Sequence, residues 1–169
     1  MPLIEIGRWT VAVVFTALVA WASISDIKDR KIPNRCVLAI MALFVPWAVL
    51  STGPWVLWAL AAGAIALAIG VGLYALGMVG AGDAKMFAAV ALFTGLDHLP
   101  LLGLLTALAG GAIALANMAA QPTRALVMLK MRGKGDFGRG IPYGVAIALA
   151  AAALVWSALL RLPLTAAAL

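Results

Sequence analysis

Asp26-Ile-Lys-Asp-Arg-Lys-Ile-Pro-Asn34 separates two long apolar runs near the start of the chain. The runs on either side, about 9–25 and 36–52, approach the roughly 20 residues that a helix needs to cross the hydrocarbon core of a bilayer. Cations cluster in the stretch between them, as they do beside membrane helices. The stretch therefore predicts a polar connection between two membrane-spanning helices.

The composition extends this prediction to the whole chain. Of the 169 residues, 66% are hydrophobic and 11% are charged, and the mean hydropathy is +1.12. A water-soluble domain of this size has too little interior to bury so much apolar surface. We therefore predict an all-α polytopic membrane protein with one membrane-embedded domain, residues 1–169, and no separate soluble domain. The six predicted transmembrane helices are about 9–25, 36–52, 55–78, 84–96, 99–119 and 141–160.

The lysines and arginines indicate how this bundle is oriented. With six alternating spans, ten of them fall on one side of the membrane and two, Arg8 and Arg161, on the other. The ten are Lys28, Arg30, Lys31, Arg35, Lys85, Arg124, Lys130, Arg132, Lys134 and Arg139. Because cytoplasmic loops are enriched in cations, we expect both termini outside, in the periplasm. The net charge of +6 comes without a basic stretch interleaved with aromatic residues, so no nucleic-acid partner is predicted.

A second polar motif, Gly80-Ala-Gly-Asp83-Ala-Lys85, opens the fourth apolar run. The chain has only six acidic residues, and two of them, Asp26 and Asp83, stand at the ends of apolar runs on the same predicted side. Carboxylates beside a bilayer core are costly, which makes a functional role the first hypothesis for both. We predict that the two carboxylates share a water-accessible site at the cytoplasmic edge of the membrane.

Two such carboxylates suit aspartic proteolysis. The ionised carboxylate takes a proton from water, and the protonated one donates to the peptide carbonyl, because two charges about 3 Å apart cannot both persist. Each motif alone also has a plainer interpretation. Asp83 could be only the N-cap of the fourth helix, Gly80 and Gly82 could serve close helix packing, and Asp26 could be a counter-ion for neighbouring cations.

The motifs become more specific in combination. Asp26 begins the pattern D-x-x-x-R-x-IPN, GxGDxK follows at residues 80–85, and Ile141-Pro-Tyr-Gly-Val-Ala-Ile147 follows in turn. From about residue 20 to 150, this ordered set resembles the type IV prepilin peptidases, bacterial GxGD-type membrane aspartic proteases. It looks most like their compact branch in tight-adherence (Flp) pilus systems. The resemblance implies that Asp26 and Asp83 are the catalytic pair and that Asp29 is a surface charge.

The resemblance also implies a substrate and a location. The expected activity is removal of the leader peptide from a membrane-inserted prepilin or pseudopilin, at the cytoplasmic face of the inner membrane. The expected partners are that substrate and the lipid bilayer. Larger family members carry a cytoplasmic segment with two CxxC pairs and also methylate the pilin, whereas this chain has Cys36 alone. With one cysteine and one histidine, His98, no metal and no organic cofactor are predicted.

Three further residues beside the two aspartates have both a functional and a structural interpretation. Lys85 could stabilise an ionised Asp83 or extend to the membrane surface as an interfacial cation. Pro33 should end any continuation of the first helix and Asn34 should cap the second. The resulting turn would either aim Asp26 into the site or simply connect two helices.

The sixth span and the segment before it raise similar alternatives. Pro142 suits the first turn of a helix, and Tyr143 either faces the site or anchors the helix at the membrane interface. Residues 124–132 have the pattern of a surface-lying amphipathic segment. We hypothesise that the glycine-rich residues 133–140 gate or dock the substrate, the alternative being a positively charged connector.

Two other functions fit parts of the pattern. A small ion- or proton-coupled transporter could use Asp26 and Asp83 as relay groups, but such carriers place acids near the bilayer midplane and carry internal repeats, and no repeat is visible here. A non-catalytic pilus assembly factor would share the fold without needing both aspartates.

Overall fold

The computed structural model describes residues 2–51, 55–120 and 143–160, and these form six α-helices. In chain order the helices are α1 (Pro2–Asp29), α2 (Asn34–Leu50), α3 (Trp55–Ala75), α4 (Ala81–Thr94), α5 (Leu99–Ala120) and α6 (Tyr143–Leu159). Each helix coincides with one predicted apolar run. The all-α prediction is therefore confirmed over the described ranges.

The ends of the helices differ from the predicted spans. The first predicted span stops at residue 25, but α1 continues through Asp29, so Asp26 lies within its last turn. No glycine or proline interrupts residues 26–29, and the helix ends only where Arg30 turns to a left-handed backbone conformation, with φ of 53°. The α3 helix ends at Ala75, short of residue 78, and Gly77 with φ of 71° lies in the turn before α4.

Small residues allow α3 and α4 to approach closely. One face of α3 is a buried line of alanine and glycine, made of Ala59, Ala62, Gly63, Ala66 and Gly70. A Cβ atom on Gly70 would lie 2.9 Å from the Ala84 Cβ and 3.2 Å from its Cα. Such contacts between backbones are typical of helices that pack within membranes.

Aromatic side chains join α1, α2 and α4 at the end of the bundle away from Asp26. The Phe93 ring lies 4.5 Å from the Phe15 ring, 5.8 Å from Phe44 and 6.0 Å from Trp47, measured between centroids. Aromatic pairs at these separations stabilise beyond the area that they bury. The cluster fixes α4 against α1 and α2, and so determines which residues meet at the opposite end.

The outside of the bundle is apolar. Leu38, Val49 and Leu57 are 63%, 78% and 72% exposed, and they belong to a large set of exposed hydrophobic residues. Patches of this extent indicate that something other than water covers them. By length and composition, three helical segments suffice to cross a membrane, namely Leu3–Asp29, Trp55–Ala75 and Leu99–Asn117. The helices thus indicate a membrane protein.

Candidate active site

Four helices bring their polar ends together at one end of the bundle. The α1–α2 connection reaches α4, where a Cβ atom on Gly82 would lie 3.3 Å from the Ile32 Cβ. A hydrogen bond links the last turn of α1 to the first turn of α6. Asp26 at the end of α1 and Asp83 at the start of α4 therefore lie at the same end of the molecule.

Asp26 is held by a backbone group of α6. The Gly144 N–H donates to the Asp26 Oδ2 at 2.9 Å, and the Asp26 side chain is only 8% exposed. The N–H groups in the first turn of a helix have no partner within the helix, and they favour a negative charge beside them. Asp26 thus caps α6 from another helix, which fixes one of its two carboxylate oxygens.

Asp83 is held by its own helix. Gly80 is the N-cap of α4 and Asp83 is the third helical residue, so the interpretation of Asp83 as the N-cap is wrong. Its carboxylate instead accepts the backbone N–H of Gly80, as the acidic partner of a capping box does. A Cβ atom on Gly80 would lie 2.9 Å from the Asp83 Oδ2, so the glycine leaves room for the carboxylate.

The two carboxylates influence one another electrostatically. Asp83 precedes the fourth predicted span, 84–96, and its pKa is raised to about 6, with burial as the largest cause. The negative charge of Asp26 contributes to this rise in the pKa of Asp83, and the Gly80 hydrogen bond opposes it. A carboxyl group with this pKa is available in both protonation states near neutral pH, as a general acid must be.

Lys85 and Asn34 contact each other rather than the aspartates. The Lys85 Nζ donates to the Asn34 Oδ1 at 3.4 Å, and both side chains are exposed. The expectation that Asn34 caps α2 is wrong, because Asn34 is already the first helical residue. Pro33 is the N-cap, and its carbonyl oxygen accepts the Cys36 N–H at 3.0 Å. The contact between Lys85 and Asn34 links the starts of α2 and α4 beside the site.

A model of the type IV leader peptidase family matches residues 13–115, a segment that contains both Asp26 and Asp83. The chain belongs to this family. Neither a curated protein nor a solved structure matches the chain. Family membership identifies the chain as a peptidase, and it indicates a prepilin as the substrate, because leader cleavage is the activity for which the family is named.

Of the other predicted site residues, Tyr143 contacts α5, and the rest lie outside the described ranges. Tyr143 begins α6 and is half-buried, with its ring against Gly110 of α5, where an added Cβ would lie 3.1 Å from the Tyr143 Cε1. Asp29 is exposed at the end of α1. Pro142 and the segments 124–132 and 133–140 lie outside the described residues.

Gly144, which contacts Asp26, and Ser23, which contacts Gly144, were not among the predicted site residues. Gly144 lies within the quoted stretch 141–147, so its presence in that motif was the available signal. Ser23 is buried one turn before Asp26, and its hydroxyl lies 3.3 Å from the Gly144 carbonyl oxygen. Nothing in the sequence around Ser23 distinguishes it from the other serines of α1.

Metal binding has no support from the described residues. Over 2–51, 55–120 and 143–160, no three histidine, cysteine, aspartate or glutamate side chains come together as metal ligands would. The absence of a metal and of a cofactor stays a prediction. What the site does hold is a pair of interacting carboxylates, each oriented by a backbone N–H.

Proposed function

We propose that the chain is an aspartic endopeptidase that removes the leader peptide of Flp-type prepilins at the cytoplasmic face of the inner membrane. Asp26 and Asp83 are its catalytic pair. The observation that carries this proposal is the electrostatic coupling of two aspartates held at one end of the bundle by backbone N–H groups, both within the family match.

The mechanism follows from the chemistry of a carboxylate pair. One ionised aspartate takes a proton from a water molecule, which attacks the carbonyl carbon of the scissile peptide. The other aspartate, protonated, donates its proton to the carbonyl oxygen. The first aspartate then passes the proton taken from water to the leaving peptide nitrogen, and the C–N bond breaks. The second aspartate regains a proton from a hydroxyl of the tetrahedral intermediate, and the leader leaves with a new carboxyl group. The nucleophile is water, so no acyl-enzyme forms. The pair titrates as a unit, and the Gly144 N–H leaves the second oxygen of Asp26 for the water.

The membrane arrangement is part of the proposal. The six predicted spans cross the membrane, both termini lie outside, and the aspartates face the cytoplasm. Lys28, Lys31 and Arg35 are exposed at the same end of the bundle as the aspartates, as cytoplasmic ends require. A prepilin would present its scissile bond just outside its own membrane span, where a site at the cytoplasmic edge can reach it.

The position of the acids in their helices favours a peptidase over a transporter. Asp26 lies in the last turn of α1 and Asp83 in the first turn of α4. Transporter sites lie near the bilayer midplane, on helices that are interrupted there. Carboxylates at helix ends on one side of the bundle instead suit a substrate that is cut beside the membrane.

The test is cleavage of a co-expressed Flp-type prepilin by the wild type and by Asp26→Asn, Asp83→Asn and Asp29→Asn. The amide keeps the size of the side chain and removes its ionisable group. We expect no mature pilin with the first two variants and normal processing with Asp29→Asn, which changes an exposed aspartate of the same helix. Normal processing by Asp26→Asn or Asp83→Asn would exclude the two-aspartate mechanism.

A further inference from the structure

Gly144 of α6 contacts α1 through both of its backbone polar groups. Its N–H donates to the Asp26 Oδ2 at 2.9 Å, and its carbonyl oxygen lies 3.3 Å from the Ser23 Oγ. Ser23 and Asp26 are three residues apart, so they lie on the same face of a helix. Both side chains are buried, at 9% and 8% exposed. The backbone of one residue of α6 thus lies between two side chains of α1.

The Ser23 hydroxyl has the geometry to fix the Gly144 carbonyl group. It lies 2.8 Å from the Val19 carbonyl oxygen of its own helix, and the Gly144 oxygen is its second acceptor. One hydroxyl proton shared between two carbonyl oxygens is a common three-centre arrangement near helix ends. A carbonyl within a helix has a second lone pair that can accept such a side-chain donor.

The direction of the Asp26 carboxylate depends on the Gly144 backbone. The Gly144 N–H and C=O belong to the two planar peptide groups that meet at the Gly144 Cα, and the helical backbone dihedrals fix their relative directions. Holding the carbonyl therefore restricts the direction of the N–H beside Asp26. A carboxylate that activates water has to keep its free oxygen directed at the reacting atoms, since small misplacements reduce catalytic rates strongly.

We propose that Ser23 is a positioning residue of the peptidase, which orients Asp26 through the Gly144 backbone without touching the substrate. This inference rests on the proposed function of Asp26 as a catalytic aspartate. It adds to that function a residue outside the motifs. Loss of the Ser23 hydroxyl should therefore lower the rate of the chemical step and leave substrate binding unchanged.

Thr16 supplies a matched control on the same helix. Its hydroxyl also lies 2.8 Å from a carbonyl oxygen of its own helix, that of Ala12, and also joins α1 to α6, by accepting the Trp156 Nε1–H at 2.9 Å. The Thr16 bond lies far from Asp26 along α1. Thr16→Val therefore removes an equivalent link between the helices without affecting the catalytic aspartate.

The experiment measures kcat and KM for cleavage of a purified Flp-type prepilin by the wild type, Ser23→Ala and Thr16→Val in detergent, with the melting temperature of each. For Ser23→Ala we expect kcat to fall about fivefold, the scale of one hydrogen bond, with an unchanged KM. Thr16→Val should keep the wild-type kcat, even if both variants lose stability.

The opposite outcomes separate this inference from the proposed function. An unchanged kcat in Ser23→Ala, an equal fall in Thr16→Val, or an effect confined to KM would overturn the role of Ser23 and leave the aspartate pair intact. Absence of cleavage by the wild-type enzyme, with a prepilin that another leader peptidase processes, would instead overturn the proposed function, and the inference with it.

Discussion

Gly144 shapes the environment of Asp26 by having no side chain. A Cβ atom at this position would lie 2.9 Å from the Asp26 Oδ2 and 3.1 Å from its Cβ, closer than carbon atoms normally approach these groups. Glycine within a helix costs about 1 kcal/mol relative to alanine. At this position the absence of a side chain lets the backbone N–H reach the carboxylate, which an alanine would prevent.

We therefore expect Gly144→Ala to reduce the rate of prepilin cleavage by about 100-fold, the scale of a displacement of about 1 Å at a catalytic group. Gly111→Ala is the control, because a Cβ atom on Gly111 has no neighbour within 4 Å. The comparison uses membranes that contain equal amounts of each variant. Equal cleavage by the two variants would show that close approach of Gly144 is not required.

The raised pKa of Asp83 predicts how stability depends on pH. Its pKa rises from 3.8 to about 6 on folding, so between these values the folded protein keeps a proton that the unfolded chain has released. Stability contributed by this group is therefore present at low pH and is lost as pH rises through about 6. We expect the melting temperature of the detergent-solubilised protein to decrease over this range.

Asp83→Asn provides the comparison for this effect, since an amide does not titrate but can still accept the Gly80 N–H. The decrease in melting temperature between pH 4 and pH 6.5 should be smaller in the variant than in the wild type. Identical decreases in the two proteins would mean that Asp83 keeps its ordinary pKa in the folded state.

At the scale of helices, the apolar runs predict which segments fold but not where each helix ends. Hydrophobicity averaged over a span is a property of the segment itself, so all six helices match a predicted run. Helix ends depend on what satisfies the terminal backbone groups. Neither the continuation of α1 through Asp29 nor the role of Pro33 as the N-cap of α2 follows from the apolar pattern.

The contact between α3 and α4 leads to a prediction for Gly70. Gly70→Val places a branched side chain where the Ala84 Cα already lies 3.2 Å from an added Cβ. Overpacking of this kind costs about 1–3 kcal/mol. Because Ala84 follows Asp83 directly, the displacement should also reduce prepilin cleavage.

Gly72→Val is the matched control for this substitution, since it makes the same change two residues further along α3. A Cβ atom on Gly72 meets nothing within 4 Å, so the helix propensity changes equally and only the packing differs. We expect Gly70→Val to have the lower melting temperature and the lower cleavage rate. Equal melting temperatures in the two variants would argue against close α3–α4 packing.

The whole molecule assembles its site from three distant parts of the sequence. Motifs and cation counts place Asp26 and Asp83 on one side of the bundle, because both signals can be read along the chain. They give no distance between the two residues. The hydrogen bond from the Gly144 N–H could not be predicted from them either, because almost every residue carries a backbone N–H and the sequence does not mark the one that is used. Only the packing of α6 on α1 brings this N–H to Asp26.

The proposed orientation in the membrane can be tested with single cysteines in the native background. Cys36 is completely buried, so the wild type should not react with a membrane-impermeant maleimide. Lys31 is exposed beside the site, and Asp97 is exposed at the other end of α4. If the aspartates face the cytoplasm, Asp97→Cys reacts in intact spheroplasts, whereas Lys31→Cys reacts only after lysis. The reverse pattern would place the aspartates on the periplasmic side. It would contradict the orientation that the distribution of lysine and arginine predicts.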